Sequence, residues 1–178
     1  MSKEDYEYIY KHQKEYGKYG SDNHSREHMD KFHKLKPKSV VDIGCGNNEF
    51  IKGLKIIKKV GVDIACPSAD IVAPADNLPF KNKEFDVLTS FDCLEHLDPE
   101  MVISSLREIS RVSKRFFMTV CHKKETCWRT QDGKTLHPSS YSTKWWTREL
   151  EKIATIIDIY IYSEGSQGDH SLYIGEWK

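Results

Sequence analysis

Short apolar runs alternate with helically spaced apolar residues along most of this chain. Five runs have the length and residue content of buried strands: residues 38–43, 57–62, 70–72, 85–91 and 115–121. Helical spacing occupies residues 47–56 and 99–112, and the second helix starts with Asp98 as its cap and Pro99 at its first position. Because strands that alternate with helices pair in parallel, the pattern predicts an α/β domain around five parallel strands.

The C-terminal third follows a different pattern. One helix is predicted over residues 143–152, and two apolar runs at 155–163 and 169–177 flank the turn-forming residues 164–168. Consecutive strands joined by so short a turn must be antiparallel. The predicted sheet therefore has seven strands, five of them parallel and two forming an antiparallel C-terminal hairpin.

The first 36 residues are polar and are predicted to form two short helices. Tyr6, Ile9 and Tyr10 share one face of the first helix, and Phe32 lies on the apolar face of the second, over residues 25–35. Two interpretations remain open for this segment. It is either a solvated helical pair packed on the domain or a lid over a binding site.

Composition limits the class of protein. A chain of 178 residues fits one α/β domain, here a helical segment at residues 1–36 and a core at residues 37–178. The 27 basic and 27 acidic side chains cancel, so no overall field would attract nucleic acid or anionic lipid. The apolar runs are of strand length and the chain starts with charged residues, so neither a membrane span nor a signal peptide is predicted, and a cytoplasmic location is expected.

Cysteine and histidine raise the question of a metal. The five cysteines are scattered and odd in number, so they are expected to be reduced thiols. Cys121, His122, Cys127 and His137 are ligand types that zinc accepts. Their spacing matches no paired Cys-x-x-Cys knuckle, and the neighbours Cys121 and His122 point to opposite sides of a strand. No metal site is therefore predicted.

The most informative segment follows the first strand. Gly44 and Gly46 let the backbone turn tightly and approach a ligand without an intervening Cβ. A dinucleotide site would need a third glycine where Glu49 places a carboxylate against the phosphates. The loop therefore favours a nucleoside ligand without phosphates, and S-adenosylmethionine fits. Asp63, 21 residues beyond Asp42, ends the second strand, where a carboxylate can meet ribose hydroxyls.

The order of these features resembles the class I S-adenosylmethionine-dependent methyltransferases, especially their small stand-alone members. The resemblance runs from about residue 38 to the C-terminus and rests on the glycine loop, Asp63, the sequence Ala75-Asp76-Asn77-Leu78-Pro79-Phe80, and Leu94-Glu95-His96 after the fourth strand. Asn48 departs from the pattern, because many members have a third loop glycine there. Asn tolerates unusual backbone angles and caps helices, so it is interpreted as a substitution within the pattern.

The resemblance implies a Rossmann-like, doubly wound α/β core with S-adenosyl-L-methionine as cofactor and S-adenosyl-L-homocysteine as product. Nine residues at the carboxyl ends of the strands would form the cofactor site: Asp42, Gly44, Cys45, Gly46, Asp63, Ile64, Asp76, Asn77 and Phe91. Asp63 would accept from the ribose hydroxyls and Asp76 from the adenine amino group, whereas Asp42 would order the loop. Because Asp63 would face a cleft, its replacement is expected to have little effect on stability.

Methyl transfer is an in-line displacement, so positioning of the acceptor does much of the work. A hydroxyl acceptor would also lose a proton, and the candidate catalytic residues are His137, His96 and Asp92. Two other interpretations of His96 stay open: some relatives use a sequence similar to Leu-Glu-His to hold a metal, and the histidine could instead cap or brace the loop. The loop at 122–142 is locally basic through Lys123, Lys124, Arg129 and Lys134, against Glu125 and Asp132. A small-molecule or sugar acceptor is the predicted partner, and an acidic or phosphorylated one would suit this loop. The other interpretation of the loop charges is a solvated face. The sequence around His137 also resembles small methyltransferases of surface-sugar biosynthesis.

Two other functions remain open. A nucleic-acid methyltransferase would use the basic loop with the aromatic residues Trp128, Tyr141, Trp145 and Trp146 as a stacking surface. The neutral charge counts against it, as does Phe91-Asp92-Cys93-Leu94 where such enzymes have an Asn/Asp-Pro-Pro-Tyr-type sequence. The other alternative is a domain that binds the cofactor as a scaffold without catalysis. The sequence carries no signal for an oligomeric state.

Overall fold

Seven strands of the chain form one mixed sheet. The structure, a computed structural model, describes residues 1–12, 14–16, 27–123, 129–162 and 169–178. The strands are β1 (Ser39–Ile43), β2 (Lys58–Asp63), β3 (Ile71–Val72), β4 (Phe85–Phe91), β5 (Ser113–Cys121), β6 (Ala154–Tyr162) and β7 (His170–Trp177). Their order in the sheet is β3-β2-β1-β4-β5-β7-β6.

The strand directions agree with the sequence pattern. Neighbours among β1 to β5 pair in parallel, and β7 pairs antiparallel with both β5 and β6. The prediction of a seven-stranded, mostly parallel sheet with an antiparallel C-terminal hairpin is confirmed. The predicted hairpin turn at residues 164–168 lies outside the described residues.

Helices cover both faces of this sheet. The helices in the described residues are α1 (Lys3–Lys11), α2 (Met29–Lys34), α3 (Glu49–Gly53), α4 (Pro99–Val112) and α5 (Thr143–Ile153). On one face, Leu106 of α4 and Trp146 of α5 belong to the larger hydrophobic cluster. On the other face, Phe32 of α2 and Phe50 of α3 pack with Phe117 of β5. The domain is therefore doubly wound, as predicted.

The helix after β1 is much shorter than its hydrophobic spacing suggests. The spacing predicts residues 47–56, but α3 spans only Glu49–Gly53. Leu54 is already extended, and Ile57, predicted as the first residue of the second strand, is fully exposed. The Nζ of Lys59 in β2 donates to the carbonyl of Leu54 at 2.6 Å, so a side chain satisfies a carbonyl near the helix end. The position of β2 ends this helix, because few residues remain to reach the strand.

One interpretation of the sequence is that the two N-terminal helices pack on the domain as a pair. In the structure, α1 and α2 instead belong to different hydrophobic clusters. Phe32 of α2 packs on a face of the sheet. In α1, Tyr6 and Ile9 instead share a separate cluster with Ala65, just after β2, and with Leu136. Therefore α1, and not α2, lies over the carboxyl ends of the strands. The predicted start of the second helix, residue 25, lies outside the described residues.

Several polar contacts anchor α1 and the residues around it. A capping box joins Ser2 and Asp5 at the start of the helix. The amino nitrogen of Met1 lies 2.5 Å from Oδ2 of Asp98, the N-cap residue of α4. The hydroxyl of Tyr16 donates to the carbonyl of Arg129 at 2.9 Å. These contacts tie the N-terminal segment to two loops at the carboxyl edge of the sheet.

The remaining element boundaries agree with the sequence prediction to within two residues. For example, the pattern predicts α5 over residues 143–152 and β4 over 85–91. None of the described helices combines the length and the apolar composition that a bilayer span requires.

Gly61 in β2 tests how closely the loop after β1 packs on the sheet. A methyl group at Gly61 would lie 2.1 Å from Oδ1 of Asn48 and 3.0 Å from Sγ of Cys45. Gly61→Ala is therefore expected to lower the free energy of unfolding by about 1–3 kcal/mol. Gly53→Ala is the matched control, because its added methyl meets nothing within 4 Å. Urea unfolding measures both variants, and equal stability would contradict the close packing.

Candidate active site

The loop after β1 turns tightly against the neighbouring strand ends. Gly44 and Gly46 have φ angles of 73° and 51°, in the left-handed region that favours glycine. The amides of Gly44 and Cys45 both donate to the carbonyl of Val62, at 2.8 and 3.0 Å. A Cβ on Gly44 would lie 2.3 Å from Sγ of Cys93, just beyond β4. Glycine is therefore required at position 44 by both the backbone angle and the close approach of the next strand end.

Asn48, the departure from the family pattern, adopts a backbone conformation that glycine favours. Its φ is 62°, and its buried side chain donates through Nδ2 to the carbonyl of Ser68 at 3.1 Å. The expected tolerance of an unusual backbone angle is confirmed. The expected side-chain cap of α3 is wrong, because the side chain ties the loop to the segment after β2 instead.

Asp63, at the end of β2, accepts four hydrogen bonds. Its Oδ1 accepts from the amides of Ala65 and Cys66, both at 2.9 Å. Its Oδ2 accepts from the amide of Gly46 at 3.2 Å and from the hydroxyl of Tyr10 at 3.0 Å. A carboxylate has about four lone-pair directions, so these donors occupy all of them. The carboxylate therefore joins the glycine loop, its own strand end and α1.

This arrangement fits the predicted ribose site and adds a structural role. Oδ2 of Asp63 already accepts from one hydroxyl, that of Tyr10, which is the interaction that a ribose hydroxyl would make. Three backbone amides also depend on this carboxylate, which is only 6% exposed. The expectation that replacing Asp63 hardly affects stability therefore does not fit the structure, because buried amides would lose their acceptor.

The other predicted cofactor residues lie along the same edge of the sheet, with differing contacts. Asp42 is buried and accepts from Oγ1 of Thr89 in β4 at 2.7 Å, in keeping with an ordering role. Ile64 is partly buried in the cluster that α1 covers. In the loop after β3, Asp76 is half-buried and Asn77 is exposed.

Phe91 belongs to an aromatic group on the face of the sheet that α2 and α3 cover. Its ring centroid lies 4.9 Å from that of Phe50 and 6.2 Å from that of Phe117. The residue is partly buried. Its side chain therefore has a packing role, and its contact with the cofactor stays a prediction.

Glu95, His96 and His137 come together at the end of β4. Glu95 and His96 lie in the 3₁₀ turn Leu94–His96, and His137 reaches them from the loop at 122–142. The rings of the two histidines are perpendicular, with centroids 4.6 Å apart. One potential ligand atom from each of the three residues lies within 4.8 Å of the others. The sequence presents His96 and His137 as alternative bases, whereas the structure makes them neighbours.

The surroundings of His96 make it a weak base. Burial and the neighbouring His137 lower the pKa of His96 to about 3, against an opposing effect of a hydrogen bond with the backbone of Leu136. An imidazole with so low a pKa is neutral at pH 7 and accepts a proton poorly. Asp92 has other partners, since its Oδ1 accepts from the hydroxyl of Thr119 at 2.9 Å. The catalytic roles of these residues stay predictions.

The described part of the basic loop is less basic than its composition suggests. Arg129 and Thr135 pair as a β-bridge. The Nζ of Lys134 lies 2.6 Å from Oδ2 of Asp132, so one cation of the loop is paired with an acid. Several residues of the predicted basic and aromatic surface lie outside the described residues: Lys124, Glu125 and Trp128.

The zinc set considered from the sequence does not assemble within the described residues. Both ring nitrogens of His122 are engaged, Nδ1 with the carbonyl of Tyr141 at 2.7 Å and Nε2 with the hydroxyl of Ser171 at 2.8 Å. Cys127 lies outside the described residues. His122 is therefore a structural residue that joins β5 to the start of α5 and to β7.

Comparison with known proteins bears on the same region of the chain. Residues 41–116, from within β1 to within β5, match the family described as a methyltransferase domain. This part of the chain is similar to a methyltransferase domain. The resemblance to class I methyltransferases is thereby confirmed, and the glycine loop and Asp63 both lie within the matched residues.

Curated relatives are similar to this chain over part of their length. An uncharacterized protein of Methanocaldococcus jannaschii is 38% identical over 103 residues, which are 50% of this chain and 39% of that protein. The probable tRNA methyltransferase 9B of Mus musculus is 32% identical over 88 residues, 43% of this chain and 20% of that protein. The chain thus spans about two fifths of the length of the first and about one fifth of the second.

Solved structures share the fold of this chain at low identity. The 1,6-didemethyltoxoflavin-N1-methyltransferase of Burkholderia thailandensis, with bound 1,6-didemethyltoxoflavin and S-adenosylhomocysteine, has a TM-score of 0.71 at 16% identity, over 99% of this chain and 86% of that one. A protein of Pyrococcus horikoshii has a TM-score of 0.63 at 16% identity, over 90% and 94% of the two chains. These likenesses establish the fold.

The sequence pattern gives no site role to Tyr10 or Glu95. It predicts Tyr10 only as part of an apolar helix face, although the tyrosine hydroxyl binds Asp63. From the sequence, Glu95 is considered only as part of the Leu-Glu-His sequence after the fourth strand. No pattern along the chain places it beside position 137, because a tertiary contact between two loops creates that neighbourhood.

Asp63→Ala is expected to destabilise the fold as well as to weaken cofactor binding. Removal of the carboxylate leaves three buried amides without an acceptor, so the free energy of unfolding should fall by more than about 2 kcal/mol. Asp76→Ala, at a half-buried loop position, is the matched control and should cost at most about 1 kcal/mol. Thermal and urea unfolding compare the two. A loss for Asp63→Ala no greater than that of the control would contradict the structural role.

Proposed function

We propose that this chain is an S-adenosylmethionine-dependent methyltransferase that methylates an oxygen or nitrogen atom of a small-molecule or sugar acceptor. The proposal rests on the Asp63 carboxylate at the end of β2. This carboxylate accepts hydrogen bonds from the amide of Gly46 and from the hydroxyl of Tyr10. The family match supports it, and so does the S-adenosylhomocysteine bound to the Burkholderia enzyme of the same fold. S-adenosyl-L-methionine is also the cofactor predicted from the sequence.

The bound cofactor would supply a methyl group activated by a sulfonium. The residues of the chain would position it at the carboxyl edge of the sheet. Asp63 would accept from the ribose hydroxyls, and Asp76 from the adenine amino group. The backbone at Gly44 and Gly46 admits a ligand closely because no Cβ intervenes. Since displacement at the methyl carbon requires an acceptor in line with the breaking bond, alignment is the main task of the site.

The start of α3 is unsuited to a pyrophosphate. Glu49 is exposed at the first position of this five-residue helix, so a negative charge stands where phosphates would bind. A helix N-terminus attracts anions through free amides and the helix dipole, and both are weak in so short a helix. A nicotinamide dinucleotide is therefore expected to bind poorly.

We further propose that α1 is the part of residues 1–36 that acts as a lid. The hydroxyl of Tyr6 donates to the carbonyl of His96 at 3.0 Å, and that of Tyr10 donates to Asp63. Because four donors fill the lone-pair directions of Asp63, a ribose hydroxyl must displace one of them. The tyrosine hydroxyl is the donor that can leave without unfolding the loop. Cofactor binding therefore requires Tyr10 to rotate or α1 to shift.

The cover formed by α1 also favours a small acceptor. Tyr6 and Ile9 are buried over the strand ends, with Leu136 of the loop at 122–142 in the same cluster. A closed cover of this kind leaves less room for a polymer than for a single sugar or metabolite. Lys123 and Arg129 are exposed in the same loop and would suit an acidic substituent on the acceptor.

RNA is the second candidate acceptor, because the mammalian relatives are named as probable tRNA methyltransferases. The aromatic side chains considered for base stacking are largely engaged within the protein. Trp146 is fully buried, and Tyr141 stacks on Trp145 with ring centroids 3.9 Å apart. Trp128 lies outside the described residues. This arrangement favours the small acceptor over RNA.

The cofactor part of the proposal is tested by calorimetry. S-adenosylhomocysteine should bind to the purified chain more tightly than NAD⁺, because the site offers a ribose acceptor and no pyrophosphate cradle. Tighter binding of NAD⁺ would reject the proposal. Binding of S-adenosylhomocysteine establishes only the first half of the function, so turnover needs a separate assay.

The acceptor part is tested by transfer of a labelled methyl group from S-adenosylmethionine. Small molecules, glycans and RNA from a cell extract are incubated separately with the protein. Label is expected in the small-molecule or glycan fraction. Label that ribonuclease removes would make RNA the acceptor, and cofactor binding without label in any fraction would favour the scaffold alternative.

Tyr10→Phe tests whether the lid competes with the cofactor. Loss of the hydroxyl frees one acceptor direction on Asp63, so S-adenosylhomocysteine should bind about 2–10-fold more tightly, the equivalent of one hydrogen bond of about 0.5–1.5 kcal/mol. Tyr8→Phe is the matched control on the same helix, where the ring stacks on His12. Calorimetry compares the variants. Weaker binding to Tyr10→Phe would show instead that Tyr10 contacts the cofactor.

A further inference from the structure

One carboxylate and two imidazoles meet at the end of β4. Potential ligand atoms of Glu95, His96 and His137 lie within 4.8 Å of one another. Atoms that bind one ion at about 2.0–2.2 Å are roughly 3–4 Å apart, so small rotations would bring all three onto an ion. Two imidazoles with one carboxylate form a set that suits divalent transition metals and leaves coordination positions open.

Glu95 has a buried oxygen that the described residues do not satisfy. The residue is fully buried, and its Oε1 accepts from the amide of Cys121 at 3.1 Å. Its Oε2 is also buried and has no hydrogen-bond partner among the described residues. A buried carboxylate oxygen without a partner is unfavourable in a folded protein, and a bound cation would satisfy it.

His137 is oriented as a metal ligand by a hydrogen bond on the far side of its ring. Its Nδ1 lies 2.9 Å from the carbonyl of Lys123. Because a carbonyl can only accept, Nδ1 carries the proton, and Nε2 of the neutral ring keeps its lone pair. Histidines that bind metals commonly donate their other ring N–H to a backbone carbonyl, which fixes the tautomer and the ring direction.

Ser139 holds the two halves of the cluster in place. It is fully buried, its amide donates to the carbonyl of Glu95 at 3.0 Å, and its hydroxyl donates to the carbonyl of Leu97 at 2.6 Å. These bonds tie the loop that carries His137 to the turn that carries Glu95 and His96. The three side chains are therefore brought together by the packed backbone, as a metal site requires.

We propose that Glu95, His96 and His137 bind a single divalent transition-metal ion, such as Mn²⁺, Fe²⁺, Co²⁺ or Zn²⁺. This replaces the prediction from the sequence that the chain has no metal site. Mg²⁺ and Ca²⁺ prefer shells of oxygen ligands and are expected to bind more weakly here.

The ion would act on the acceptor side of the reaction, a role that rests on the proposed function. The turn follows β4, where Cys93 abuts Gly44 of the predicted cofactor loop, and Tyr6 of the lid binds its backbone. An acceptor hydroxyl bound to the ion would release its proton to water more readily. The oxygen would then bond to the methyl carbon, while the electron pair of the broken carbon–sulfur bond stays on sulfur. Deprotonation would thus need no histidine base.

Metal binding is measured on the purified chain after treatment with a chelator, without cofactor or acceptor. Mn²⁺ and Zn²⁺ are titrated by calorimetry, and Co²⁺ by its visible absorption, which reports the coordination number and geometry of the bound ion. Glu95→Gln and His137→Gln should each weaken metal binding by more than roughly a hundredfold, beyond the effect of a change in an outer-shell residue. His33→Gln, an exposed histidine of α2, is the matched control and should bind as the unaltered chain does.

Equal metal affinity in His137→Gln and in the control would overturn the proposal, and so would the absence of binding to the unaltered chain. If Glu95→Gln fails to fold because its side chain is buried, the half-buried His137 still provides the test. S-adenosylhomocysteine affinity, measured on the same preparations, separates the two proposals. Metal binding without cofactor binding would support the metal site and reject the proposed methyltransferase function. Cofactor binding without metal binding would reject only the metal site.

Discussion

The Asp63 carboxylate is the contact on which the carboxyl edge of this sheet depends. It accepts from the glycine loop, from the two amides that follow β2, and from the first helix of the chain. Each of these hydrogen bonds fixes a segment that lies outside the strands and is not held by strand pairing. Without this acceptor, buried amides of two loops would have to find water, which the packed cluster beneath α1 excludes. The same oxygen atoms are the ones that a ribose would use.

This double use links folding to binding. A residue that satisfies several backbone amides is held rigidly, and a rigid carboxylate recognises a ligand without a further loss of side-chain entropy. Among the four donors, the tyrosine hydroxyl alone belongs to a side chain, so ligand binding can exchange one hydroxyl for another. The hydrogen bond from the hydroxyl of Tyr10 to Asp63 therefore has the same form as the one proposed between a ribose hydroxyl of the cofactor and Asp63.

A second contact, between two loops, creates the cluster of Glu95, His96 and His137. Ser139 binds the backbone of Glu95 within the turn after β4 and that of Leu97 directly behind it, and this brings residues more than forty positions apart into one group. In the same region, Cys93 packs against Gly44. The proposed acceptor side and the proposed cofactor side thus lie on adjacent backbone segments. A substitution that moves one segment is therefore expected to displace the other.

Hydrophobic periodicity is enough to predict every strand to within two residues, because strand burial is a local property that alternation records directly. It overestimates α3, since the length of that helix is set by where β2 must begin. Apolar spacing also places Tyr10 on a helix face but not its hydroxyl on Asp63. That bond depends on α1 lying over the strand ends, which no spacing along the chain records.

The sequence by itself determined the order of strands and helices, the glycines at 44 and 46, and the acid at the end of β2, because each follows from residue types at fixed separations. The resemblance to the class I methyltransferases could be recognised on that basis. Tertiary structure alone decided that Asp63 serves four donors, that α1 and α2 separate onto different surfaces, and that His96 and His137 meet beside a buried Glu95. The reason is physical: these neighbours come from loops that pack against one another, and loop packing has no period along a chain.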